Sequence, residues 1–285
     1  MRERRRGIPE AVAIGMLVML AGSIPRNILF LANLRILPSV PWAVPVLGLY
    51  MWAFWLYLNG KGPPEATAEL RRASLRAGSV QRRVWAWSLL AGGLGIVALV
   101  LCLRLANRLV VLPAQQLPDL GAVPQHTIVA RLLMSAPVAG IVEEAAFRGY
   151  MQGPIERRYG IGVAILITGT MFAVAHLDFT LILWPYYVSV AALYGVVTYL
   201  TGSIRPAVVL HTAGNTYSNF DLWMRGRAEW QAASRSGSLV WSTGPDAAFV
   251  TTGLAVVLCT VAAVWAYFQL SCASGPRDSP ATGSE

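Results

Sequence analysis

Charge is what this sequence has least of. Only 13% of its 285 residues are Asp, Glu, Lys or Arg, where an ordinary soluble domain carries about 25%. That deficit excludes a normally hydrated globular surface. Cysteine is scarce as well. Cys102 and Cys259 lie in apolar runs, Cys272 lies near the end, and the three lack disulfide or metal-ligand spacing. A disulfide framework and a cysteine metal centre are therefore not expected. Lys61 is the single lysine in a chain rich in arginine, a bias that suggests a GC-rich bacterial genome. No His-Glu-x-x-His sequence occurs, so the commonest helical zinc-protease signature is missing. No internal repeat is present.

What fills the chain instead is apolar: 55% of residues are hydrophobic. A membrane-spanning helix needs roughly 20 mostly apolar residues. Eight candidate spans follow, at 9–25, 37–59, 84–103, 127–151, 161–178, 181–200, 206–224 and 247–270. The fold class expected is all-α, a polytopic transmembrane bundle of about eight helices. Residues 1–270 form a single integral-membrane domain with its core around 127–224, and 271–285 form a disordered cytoplasmic tail. The basic start and the run from Ala11 to Ile24 resemble a signal peptide without a small-x-small cleavage site, and read as an uncleaved first helix. Pro38, Pro41 and Pro45 predict a kinked or re-entrant start to the second span. A solvated loop is expected over Lys61–Arg83, with a short helix near Ala66–Leu75.

The net charge of +9 does not point to nucleic acid, because the basic residues cluster beside apolar runs rather than among surface aromatics. With eight spans and a cytoplasmic N-terminus, the inner segments hold fourteen Lys and Arg and the outer segments seven. The positive-inside rule then places both termini in the cytoplasm of a multi-pass cell-membrane protein. Membrane lipid is the implied surrounding.

Ionisable residues within spans cost about 2.5–3.5 kcal/mol each near the helix centre, so each needs a reason. The fourth span runs into Glu143-Glu144-Ala-Ala-Phe147-Arg148. Glu144 and Arg148 are four apart with the acid first, the better order for a helical ion pair. Glu143 points about 100° away and stays available. The fifth span ends with Phe172 and His176 on one face. Glu143 and His176 lie equally far from a turn between Tyr159 and Gly160, so a hairpin of two helices returns them to one depth. That requires the fourth helix to continue past Arg148, where Pro154 is an obstacle. In the seventh span His211, Asn215 and Ser218 or Asn219 form a polar stripe.

A buried carboxylate can serve as a general base. Glu143 with His176 could polarise a water, and His211 with Asn215 could hold an oxyanion. Glu143, His176 and His211 also match a catalytic zinc ligand set, and the residues leave metal and water-only chemistry open. A polar seam that only glues helices and a proton or ion relay of a transporter are the other readings.

Glu143-Glu144-x-x-x-Arg148-Gly149, Phe172-x-x-x-His176-Leu177 and His211-x-x-x-Asn215 resemble the three motifs of the CPBP family. That family comprises the type II CAAX prenyl endopeptidases and the bacteriocin-processing, immunity and abortive-infection proteins. The resemblance covers about Ala130–Asn219. It implies an intramembrane endopeptidase whose site opens to the cytoplasm. Glu143 would be the general base and His176 its partner, with His211 and Asn215 at the oxyanion. Glu144, Arg148 and Phe172 would support them. It implies a peptide or protein substrate, lipidated or not, and a Glu-dependent mechanism in a family once described as metal-dependent. The alternative within the same resemblance is a non-catalytic membrane immunity factor or scaffold that retains the motifs.

Overall fold

The computed structural model describes residues 7–112, 121–176, 181–225 and 238–275, all helical or in turns with no strand among them. α1 spans Ile8–Ile36, α2 Ala43–Leu58, α3 Ala68–Leu75 and α4 Arg82–Leu109. α5 spans Gln125–Glu143 and passes into a π-helix over Glu144–Gln152, then α6 over Gly153–Tyr159. α7 spans Ile161–Ala175, α8 Trp184–Thr201, α9 Arg205–Arg225, α10 Val240–Thr243 and α11 Ala247–Ser274. α1, α4, the helical stretch Leu181–Thr201 and α11 are long and apolar enough to cross a membrane, and α2 and α7 are shorter apolar helices. The chain is a helical membrane bundle, as its apolar runs predict.

Each expected span corresponds to a helix, with instructive shifts at the ends. α1 continues well past position 25, through Pro25, to Ile36. The start of the second span is a turn, closed by the fully buried Asn33. Its amide donates to the carbonyls of Leu37 and Val40 and accepts from the N–H of Ala43. α11 runs through Ser274, so 271–274 belong to a helix rather than to a tail; 276–285 lie outside the described residues.

The loop before α4 is less solvated than its arginines suggest. Arg71 is buried, stacks 4.0 Å over the Tyr57 ring, and donates to the carbonyls of Tyr57, Lys61, Gly62 and Pro64. α3 thereby packs against the π-helix, with Leu75 fully buried.

α5 packs on α9, α7 on α8, and α4 on α11, while α1 lies along the π-helix. Small residues permit the closest approaches, which in a membrane supply much of the packing drive. A Cβ on Gly140 would sit 2.4 Å from Thr212 Oγ1 and 3.0 Å from the Val208 carbonyl, so glycine sets the α5–α9 distance. The α6–α7 turn is Gly160, whose φ of +83° suits glycine alone.

Candidate active site

The fourth helix does continue past Arg148. It does so through i→i+5 bonding over Glu144–Gln152, a wide helical form that clusters at functional sites. Pro154 falls in the first turn of α6, where a missing N–H is tolerated. The hairpin closes at Gly160, and α7 carries Phe172 and His176 back towards Glu143.

Glu143, Phe172, His176, His211 and Asn215 line one cavity of about 100 Å³ between α4, α5, α7, α8 and α9. A water needs only about 10–15 Å³ on this measure, so several fit. Glu143 and His211 are buried at its floor. Asn215 lies one turn further along α9 on the same wall.

The adjacent acids grip one imidazole from both sides. Glu144 Oε1 lies 2.8 Å from His211 Nδ1, and Glu143 Oε2 lies 3.7 Å from His211 Nε2. Glu144 Oε1 also lies 3.2 Å from Arg148 Nη1. Glu144 is thus shared between arginine and histidine rather than reserved for Arg148, and the histidine beside Glu143 is His211. An ionised carboxylate can only accept, so His211 Nδ1 carries a proton and donates it to Glu144.

His176 Nδ1 lies 2.7 Å from the Phe172 carbonyl. A carbonyl also only accepts, so Nδ1 carries the proton and Nε2 of the neutral ring is an acceptor.

Arg148 is fully buried. Besides Glu144 it meets ring faces, 5.0 Å from the Phe172 centroid and 5.4 Å from that of Tyr194. Phe172 itself packs against Phe147, His176 and His211. Tyr194 stacks on His211 at 4.9 Å and 14°, and Tyr187 lies 4.6 Å from His176. Sequence reasoning passed over both tyrosines. Their signal was a seven-residue spacing, which puts them on one face of α8.

Among the described residues no three His, Cys, Asp or Glu side chains are grouped as a metal would need. Asp178, next to the second motif, lies outside the described residues.

A helical membrane bundle and a cavity within it lined by Glu143, His176, His211 and Asn215 define the class, a multi-pass membrane protein with a polar cluster inside its helices. Residues 125–217 match the family described as type II CAAX prenyl endopeptidase Rce1-like, which supports placing the chain among the CPBP-type intramembrane proteases. The matched segment is about a third of the chain and contains all three motifs. No curated protein and no solved structure gives a significant match.

Proposed function

We propose that the chain is an intramembrane endopeptidase in which Glu143 activates water for attack on a peptide bond of a membrane-associated substrate. The observation that carries this is the placement of Glu143 beside His211 at the floor of a water-sized cavity, with His176 and Asn215 on its walls. Glu143 takes a proton from water, and His176 Nε2 accepts from the same water. Hydroxide adds to the carbonyl carbon, and the developing oxyanion is held by Asn215 Nδ2 and by Nε2 of His211. With Nδ1–H committed to Glu144, His211 donates from Nε2 as the imidazolium. Collapse breaks the C–N bond, and the leaving amine takes the proton from Glu143. Glu144, Arg148 and Phe172 position the reacting groups. No step uses a metal.

A seam that only glues helices has no use for a water-sized cavity. A transporter of hydrated ions needs a water-filled route to both membrane faces, and Glu144, Arg148 and Gln152 beside this cavity are 0% exposed. These features favour the peptidase.

The test is incubation of the purified chain with prenylated and unmodified peptides, read by mass spectrometry. The parent is expected to release discrete fragments and Glu143→Ala none. Equal cleavage by both removes Glu143 from the mechanism.

A further inference from the structure

A charge held among apolar helices is costly unless it is paired, and Arg131 is held there without a partner. It lies in the second turn of α5, about 9 Å along the axis from Gln125. It is half-buried, and its Nε is shut in with no hydrogen bond. The guanidinium sits 4.8 Å over the Phe30 ring of α1. That ring is uncharged and supplies no counter-ion.

The surrounding helices do not supply one either. Glu10 and Glu143 are the two carboxylates of α1, α2 and α5. Glu143 closes the other end of α5, about 18 Å from Arg131 along the axis. Glu10 stands in the first turn of α1, whereas Phe30 is near its last. Arg26 and Arg35 of α1 add positive charge on the Phe30 side.

Two more buried donors at this level are unsatisfied. Thr127, four residues before Arg131, shares its face of α5. It is 0% exposed and its Oγ1 has no partner. Helical side chains lean towards the N-terminus, so the Arg131 guanidinium reaches back to the level of Thr127. Trp42, just before α2, keeps a buried Nε1 without a partner. α2 and α5 both start at this end of the bundle, where His126 Nε2 lies 2.8 Å from the Ser39 carbonyl. A Cβ on Gly48 of α2 would meet Met134 Cε of α5 at 3.8 Å. Counting back equally from Gly48 and Met134 sets Trp42 level with Ile128, beside Thr127.

The set is one of donors. Guanidinium and indole N–H groups only donate, and a hydroxyl can. The matching ligand is an anion rich in acceptors, and phosphate oxygens fit the guanidinium fork. The neighbouring surface distinguishes a lipid phosphate from a free one. Ile28, Leu31, Val46, Leu49 and Leu133 of the same three helices are exposed apolar side chains, suited to acyl chains. With no carboxylate close by, a headgroup ammonium has no partner, which favours a lipid of net negative charge.

We infer that Arg131, Thr127 and Trp42 form a binding site for the phosphate of an anionic glycerophospholipid whose acyl chains lie along α1, α2 and α5. The lipid supplies the counter-ion that these helices lack. It also ties α5, which ends at Glu143, to its two neighbours. The site lies apart from the cavity and does not depend on the peptidase reading.

The test is lipid binding to the full chain in detergent, followed by native mass spectrometry. Phosphatidylglycerol and phosphatidylcholine are titrated into the parent, Arg131→Gln, Arg131→Lys, Thr127→Val and Arg35→Gln. Arg35 is an exposed arginine in the last turn of α1 and reports diffuse charge attraction. The parent is expected to retain phosphatidylglycerol in preference to phosphatidylcholine. Arg131→Gln should weaken that binding about tenfold or more, the worth of charge-assisted hydrogen bonds. Arg131→Lys keeps the charge but loses the fork, and it and Thr127→Val should weaken binding by less. Arg35→Gln should leave it unchanged. Should Arg131→Gln fail to fold, Arg131→Lys and Thr127→Val carry the test. Parent-like binding by the Arg131 and Thr127 variants, an equal loss in Arg35→Gln, or no preference between the lipids overturns the inference. So does inorganic phosphate that raises the melting temperature of the parent as the lipid does, since the site would then take a free anion. Asp119 lies outside the described residues, and Asp119→Asn is expected to leave lipid binding unchanged. Tighter binding in that variant would make Asp119 the partner of Arg131 and overturn the inference as well.

Discussion

Glu144 holds two buried partners at once, which separates its structural role from its chemical one. Arg148 is 0% exposed, and among the described residues Glu144 is its one carboxylate, at 3.2 Å. Glu144→Gln keeps the shape and an acceptor oxygen but removes the charge. Breaking a buried pair from one side leaves an uncompensated ion, at a cost of about 3–5 kcal/mol. At a few degrees per kcal/mol for a chain of this size, the melting temperature in detergent should fall on the order of 10 °C. Replacing both partners by apolar residues of similar volume is often neutral or stabilising. Glu144→Leu combined with Arg148→Met should therefore recover much of the lost stability. It should not recover cleavage, because His211 Nδ1, now 2.8 Å from Glu144 Oε1, is left without an acceptor and nothing fixes the ring. Melting followed by fluorescence, beside a cleavage assay, reads both quantities. A Glu144→Gln variant as stable as the parent, or a double variant that cleaves normally, would refute the reasoning.

Other outcomes follow from the packing and from the ion pair between Arg108 and Asp246, 3.0 Å apart. Gly140→Ala places a methyl 2.4 Å from Thr212 Oγ1. It should cost about 1–3 kcal/mol by overpacking, read by thermal melting, and lower cleavage by spreading α5 from α9. The Arg108 guanidinium, and then the Phe249 N–H, hold the Asp246 carboxyl below its ordinary range. A depressed carboxylate stabilises fully above its unfolded value, about 3.9, and the contribution disappears as pH falls through the folded value. Melting curves against pH should show this loss in the parent, and Asp246→Asn should flatten it.

Much of this was legible in the chain. The helical type of the apolar runs followed from their length, because lipid leaves the backbone few alternatives to a helix, although only four of the helices are long and apolar enough to cross a membrane. The hairpin that turns at Gly160 did bring Glu143 and His176 to one cavity, with Glu143 buried and His176 exposed. The sharing of Glu144 did not. The argument from about 100° per residue treats the fourth helix as α throughout, whereas Glu144–Gln152 is π, so the two carboxylates approach His211 from both ring nitrogens. The roles of Tyr187 and Tyr194 were also hidden, since a tyrosine in an apolar helix reads as packing until its neighbours are known. The loop around Arg71 looked hydrated because its partners are backbone carbonyls, which carry no side-chain signal.

The most direct test of the central claim is the rate of peptide cleavage by Glu143→Gln, measured with a strong chelator present throughout and folding checked by melting. The parent should keep its rate under chelation, and the folded variant should lose about 10²–10⁴-fold, the usual worth of a general base. A parent silenced by the chelator, or a variant that cleaves like the parent, would contradict the assignment of water activation to Glu143.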